Sequence, residues 1–134
     1  MNDVLVSDAL MELVFVALDH GIDSVTEGGP LIPFALTETS DGRDLTRFAP
    51  GTLEEGQALA RDHVRAAGAE RAAIAYDGYL TVEGDRNDAI FVEAQERGQS
   101  DSVMFAQRYR PGGRFKKFAT IGNAAFVERG ESLF

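Results

Sequence analysis

Apolar residues recur at helical spacing near the start of the chain. Val4, Leu5, Ala9, Leu10, Leu13, Val14, Ala17 and Leu18 make one stripe. Asp3 or Ser7 is a candidate N-cap, and Gly21 is the natural stop after His20. Val6, Met11, Phe15 and Val16 add a second apolar side. A helix apolar on two sides is buried on two sides, so this one is expected to be central or shared with another subunit.

The period then changes. After Glu27-Gly28-Gly29-Pro30, a loop signal, Leu31 to Thr39 alternates with Ile32, Phe34 and Leu36 on one face. Ser40-Asp41-Gly42 is turn chemistry, and Arg43 to Phe48 returns as the second strand of a hairpin. Pro33 places the first strand at an edge, or its start close by. Thr52 with Glu55 forms a capping box and opens a second helix that ends at Ala67 before Gly68. Leu53, Leu59, Ala60, Val64 and Ala67 form its stripe, with Glu54, Arg61, Asp62 and Arg65 facing out. Strands are predicted at Arg71 to Val82, Asp88 to Ala94, Val103 to Arg110 and Arg114 to Thr120, with a short closing element from Asn123 to Val127. Glu83 to Asn87 and Pro111-Gly112-Gly113 are the turns. Runs of adjacent strands predict α+β, not alternating βαβ units. The expectation is one domain over residues 1–134, in the order helix, hairpin, helix, meander. It has an antiparallel sheet of five to six strands and two helices on one sheet face.

Composition narrows the chemistry. The 134 residues include no Cys and no Trp and only two His, which excludes disulfides, thiolate metal sites and Cys nucleophiles. The net charge is −9, but it is uneven. Up to Asp101 there are 7 basic and 20 acidic residues; from Ser102 onward there are 6 basic and 2 acidic. A basic C-terminal quarter therefore sits on an acidic body. Asp3, Asp8 and Glu12 interrupt the apolar start and no basic segment precedes it, so a secretory signal is not expected. The longest apolar run, Leu13 to Leu18, is far too short to span a membrane, and the chain is read as cytoplasmic.

Two polar clusters could carry chemistry. The first is Tyr76-Asp77-Gly78-Tyr79 with Asp85-Arg86-Asn87-Asp88 and Glu93. With Ile74, Tyr76, Leu80 and Val82 inward, Asp77, Tyr79 and Thr81 share the other face, and a hairpin would bring Asp77 and Tyr79 towards Glu93. Neighbouring carboxylates split their pKa values for acid–base work, or hold a hard cation. The bland alternative is a bulge at Asp77-Gly78 and a turn pinned by Arg86 with Asp85 or Asp88. The second cluster is Gln107-Arg108-Tyr109-Arg110 with Arg114, Lys116 and Lys117, interleaved with Phe105, Phe115 and Phe118. Basic strands with aromatics can bind phosphates and bases. Alternation puts Arg108 and Arg110 opposite Phe105 and Tyr109, which argues against a nucleic-acid surface and leaves cross-strand ion pairs as the bland reading. No phosphate loop, EF-hand loop, nucleophile elbow or histidine pair is present, so no cofactor or metal is expected.

Ala75-Tyr76-Asp77-Gly78-Tyr79, Gly84-Asp85-Arg86-Asn87-Asp88-Ala89-Ile90, Ala106-Gln107-Arg108-Tyr109-Arg110 and Ile121-Gly122-Asn123 together resemble small bacterial proteins with no assigned activity. The resemblance implies no catalytic residue. The residues themselves favour a non-catalytic binding or accessory protein, contacting a protein or a small anionic ligand through a polar sheet face of Asp77, Tyr79, Arg86, Glu93, Arg108 and Arg110. The alternative is an enzyme on a small anionic or phosphorylated substrate, with Arg108 and Arg110 holding the anion and Asp77 or Glu93 as acid–base group. A homodimer through the first helix is expected, broken by Phe15→Asp or Val16→Asp.

Overall fold

Ser7 starts the first helix. Its extended backbone lets the hydroxyl accept the Leu10 N–H at 3.1 Å, and α1 runs from Asp8 to Thr26. The computed structural model describes residues 6–28, 30–49, 51–113 and 115–134; the Asp3 cap and Val4–Leu5 turn lie outside them. Gly21 does not stop α1. It lies inside the helix against β4 (Asp85–Glu96), where an added Cβ would stand 2.8 Å from Ile90 Cγ2. The glycine is a close-approach point, not a C-cap. Among the described residues no helix is long and apolar enough to cross a membrane.

β1 (Phe34–Thr39) and β2 (Gly42–Arg47) form the first hairpin, with Thr39 paired to Gly42 across Ser40-Asp41. Pro33 immediately precedes β1, which is an interior strand between β2 and β3 (Arg71–Val82). α2 (Leu53–Ala67) has the expected cap, Thr52 Oγ1 accepting the Glu55 N–H at 3.1 Å, and ends at Gly68 with φ 64°. β3 and β4 turn through Glu83-Gly84, both at positive φ, as a two-residue hairpin requires. β5 (Ser102–Arg110) and β6 (Ala119–Gly130) complete a sheet ordered β2-β1-β3-β4-β5-β6, antiparallel throughout. The strand expected at Arg114 to Thr120 begins only at Ala119, and it absorbs the element expected at Asn123 to Val127. Arg114 itself lies outside the described residues.

The helices cover opposite faces, not one. Leu10, Leu13, Val14, Ala17, Leu18 and Val25 of α1 pack on Phe34, Leu36, Ala73, Ala75, Ile90, Val92 and Phe105. Ala60 and Val64 of α2 pack on Ala35, Ala72 and Ile74 from the other side. The reason is legible in β3. Ala72-Ala73-Ile74-Ala75 is apolar without alternation, the pattern of a strand buried on both faces. The α2 stripe is narrower than expected: Leu53 and Leu59 are exposed, and the contact runs through Gly56, Ala60 and Val64. The second apolar side of α1 also shrinks. Val6, Met11, Val16 and Ile22 lean half-buried against the core, and only Phe15 stands half in solvent.

Two polar groupings tie the frame. Glu38 accepts Arg71 at 2.7 Å and Arg43 at 2.6 Å, and Arg71 also reaches Glu96 at 3.1 Å. Burial raises the Glu38 carboxyl, but the hydrogen bonds from Arg71 and Arg43 outweigh it and hold the group below its ordinary range. Gln95, fully buried, accepts the Leu133 N–H at 2.6 Å and donates to Ser132 Oγ, which seats Leu133 in the α2-side core.

Candidate functional site

Strand register decides which polar residues meet. Asp77 pairs with Ile90, Tyr79 with Asp88 and Thr81 with Arg86, so Asp77, Tyr79, Asp88 and Arg86 share the α1 face. Tyr109 pairs with Asp88 and stands on the same face. This cluster lies beyond the C-terminal end of α1, where a cleft of about 370 Å³ is lined by Val25, Gly28, Pro30, Asp77, Tyr109 and Pro111. In it Asp77 Oδ1 accepts the Tyr109 hydroxyl at 2.9 Å and the Gly78 N–H at 3.0 Å. Arg86 lays its guanidinium over the exposed Tyr79 ring, 3.7 Å from the centroid, and does not pin the turn through Asp85 or Asp88. Asp77-Gly78 is not a bulge either, since the register runs through it unbroken. Gly78 is needed on the other face, where a Cβ would stand 2.9 Å from the Phe91 ring.

Asp77 forms no ion pair among the described residues; both its hydrogen-bond donors are neutral. Burial raises its pKa, the bonds from Tyr109 and Gly78 pull it back, and the Asp88 charge pushes it up again. Burial and then the bond to Asp77 raise the Tyr109 phenol, so it stays protonated as the donor.

The other expected site residues are elsewhere. Glu93 pairs with Ile74 and faces α2, so Asp77 and Tyr79 do not approach it. Both its oxygens accept Arg61 Nη2 at 2.7 Å, and Oε2 accepts the Tyr76 hydroxyl at 2.7 Å. Arg61 therefore points to the sheet and not to solvent. Burial, then the bond to Glu93, raises the Tyr76 phenol. Arg108 faces the α2 side, opposite Asp77, and lies against β6, where a Cβ on Gly122 would be 3.4 Å from its Nη2. Arg110 donates to the Lys117 carbonyl at 3.0 Å and closes the β5–β6 loop. The six residues expected on one polar face thus divide into Asp77, Tyr79 and Arg86 on the α1 face, Glu93 and Arg108 on the α2 face, and Arg110 at the loop.

Tyr109 joins the site although the strand pattern only set it beside Phe105, opposite Arg108 and Arg110, in the second cluster. Its stacking on Phe118, with ring centroids 5.5 Å apart, agrees with that pattern; only its hydroxyl is polar. Residue pattern alone gives no sign that this hydroxyl meets Asp77. Among the described residues no three His, Asp or Glu side chains converge as metal ligands. Compared with family models, curated proteins and solved structures, the chain matches none.

Proposed function

We propose that the chain is a binding protein whose cleft at the end of α1 receives a small cationic group, such as the ammonium of an amine. One observation carries the reading: Asp77 lines a cleft, half-buried and, among the described residues, accepting only from neutral donors. A carboxylate without a counter-ion in such a place is unfavourable, and a bound cation relieves it. Tyr109 fixes the carboxylate's orientation, and the exposed Tyr79 ring beside it already holds one cation, Arg86. Tyrosine faces attract cations, so the rim suits the same ligand class. An enzyme on an anionic substrate would need its arginines beside its carboxylate. Arg108 stands on the opposite side of the sheet, and the oxygens of Glu93 are taken by Arg61 and Tyr76.

The test is a thermal-shift titration with primary amines against acetate and phosphate. An amine at about 100 times its Kd adds about 2.7 kcal/mol, a rise of roughly ten degrees for a chain of this size. The rise should vanish in Asp77→Asn. No amine shift, or one that survives the substitution, overturns the reading.

Asp77→Asn also has an expected effect without ligand. The folded protein holds the Asp77 proton to higher pH than the unfolded chain does. Stability from this group is therefore full at acid pH and falls as pH rises from the ordinary carboxylate pKa through the raised folded one. Asparagine removes that loss and still offers Tyr109 and Gly78 an acceptor. The variant should melt above the wild type at neutral pH, with the gap closing on acidification. A variant that melts lower at neutral pH would mean that the fold itself needs the charge.

A further inference from the structure

β6 leaves its register opposite Gln107. Arg108 pairs with Ile121 and Ala106 with Ala125, so Gly122, Asn123 and Ala124 all stand across from one residue. Gln107 fills the irregularity. Its Nε2 donates to the carbonyls of Arg108, Ile121 and Gly122 at 3.0, 3.3 and 3.1 Å. These carbonyls fix that atom as the nitrogen, because an amide oxygen has no proton to give them. Gln107 is 9% exposed, and among the described residues its Oε1 accepts no hydrogen bond. The surface it lines is a groove of about 390 Å³ between α1 and β6. Phe15, Leu18, Ile22 and Ala124 form the apolar part of this groove. Asp19, Gln107, Thr120 and Asn123 form the polar part, and each of them can accept a hydrogen bond. Among the described residues no Lys or Arg lines it, and Asp19, exposed, forms no ion pair.

The groove and the Asp77 cleft follow one another along both walls. Ile22 lines the groove and Val25 the cleft, one turn further along α1. Gln107 lines the groove and Tyr109 the cleft, at successive positions on one face of β5. Such steps are about 5 Å on a helix and about 7 Å on a strand. From Asp19 to Val25 the helix advances about 9 Å.

We infer that the ligand is an α,ω-diamine, with one ammonium at Asp77 and the other at Asp19 and Gln107. The inference rests on the cationic reading of the Asp77 cleft and gives the ligand its second end. An ammonium has three donors and no acceptor, which matches the Asp19 carboxylate, Gln107 Oε1 and the Thr120 hydroxyl. The methylenes between the two charges lie against Leu18 and Ile22 and leave water in doing so. A purely apolar tail would cover Asp19 and Gln107 without giving either a donor, which is unfavourable.

Calorimetric titration at about 0.15 M salt, where diffuse attraction is screened, compares α,ω-diamines from diaminopropane to diaminooctane with monoamines of the same carbon count. The best diamine should bind about tenfold more tightly than its monoamine, which is about 1.4 kcal/mol. Affinity should peak at one chain length. Asp19→Asn should not lower the melting point, since the residue is exposed, and should bring the diamine down to the monoamine's affinity while leaving the monoamine unaffected. Asp77→Asn should weaken both. In 15N NMR spectra the Gln107 side-chain amide should shift with the diamine and hold still with the monoamine. If monoamines bind and diamines bind no better, or if Asp19→Asn changes nothing, the second ammonium site is overturned and the cleft reading stands. Tighter binding of every diamine regardless of length is attraction to an acidic protein in general and overturns it as well. If no amine binds, both the inference and the cleft reading fall.

Discussion

Glu93→Ala is expected to lower the unfolding free energy by about 3 kcal/mol. The carboxylate side chain is 6% exposed and receives Arg61 on both oxygens and Tyr76 on one, all at 2.7 Å. Removing it strands a guanidinium and a phenol together. Breaking a fully buried pair costs about 3–5 kcal/mol. The Arg61 side chain is 29% exposed and regains some water, which puts the value at the lower end. A chemical-denaturation midpoint measures it. Glu93→Gln should cost less, since it keeps an acceptor in the same place. Arg61→Leu together with Glu93→Leu should recover much of the loss, because the desolvation penalty of both charges disappears with them. A loss below about 1 kcal/mol for Glu93→Ala would mean the pair does not hold α2 to the sheet, and Glu93 would return as a candidate ligand contact.

Gly21→Val should be comparably damaging, at about 3 kcal/mol, although glycine within a helix is ordinarily improved by replacement. The Cβ alone would lie 2.8 Å from Ile90 Cγ2 and 3.6 Å from Leu31 Cδ2. Ile90 is fully buried and cannot swing aside. The added methyls force α1 away from the sheet along its main contact. Ile90→Ala by itself should cost about 2–5 kcal/mol through the cavity it leaves. The double variant should be more stable than the sum of the two losses implies, since the valine fills that cavity. Strict additivity in the double-mutant cycle would sink the account, because it would mean that the two side chains do not meet. The same substitution at Gly68, at φ 64° with open space around it, would act only through backbone strain.

Much of the architecture follows from the chain's own pattern. Capping by Ser7 and Thr52, the stop at Gly68, the Ser40-Asp41 hairpin and the full extent of β3 rest on local chemistry, which neighbouring residues specify. The α+β class follows as well, because strands in succession without intervening helices pair antiparallel. Local chemistry was misleading where a residue's meaning lies across the core. Gly21 has the composition of a helix stop, and Arg61 has that of a solvent-facing charge. Ile90 and Glu93, both distant in sequence, give them their roles.

The site shows the same division. The sequence singled out Asp77, Tyr79 and Arg86 through their polarity on strands, and these three do stand together. It also grouped them with Glu93, Arg108 and Arg110, which register and the β5–β6 loop place elsewhere. A strand's alternation tells which residues share a face of that strand. Only the pairing of strands tells which faces of different strands coincide, since a shift of one residue turns every side chain over. The assignment of α1 and α2 to opposite faces likewise came from tertiary packing. The main apolar stripe of either helix fits either face equally well, and the doubly buried β3 accepts one helix on each side.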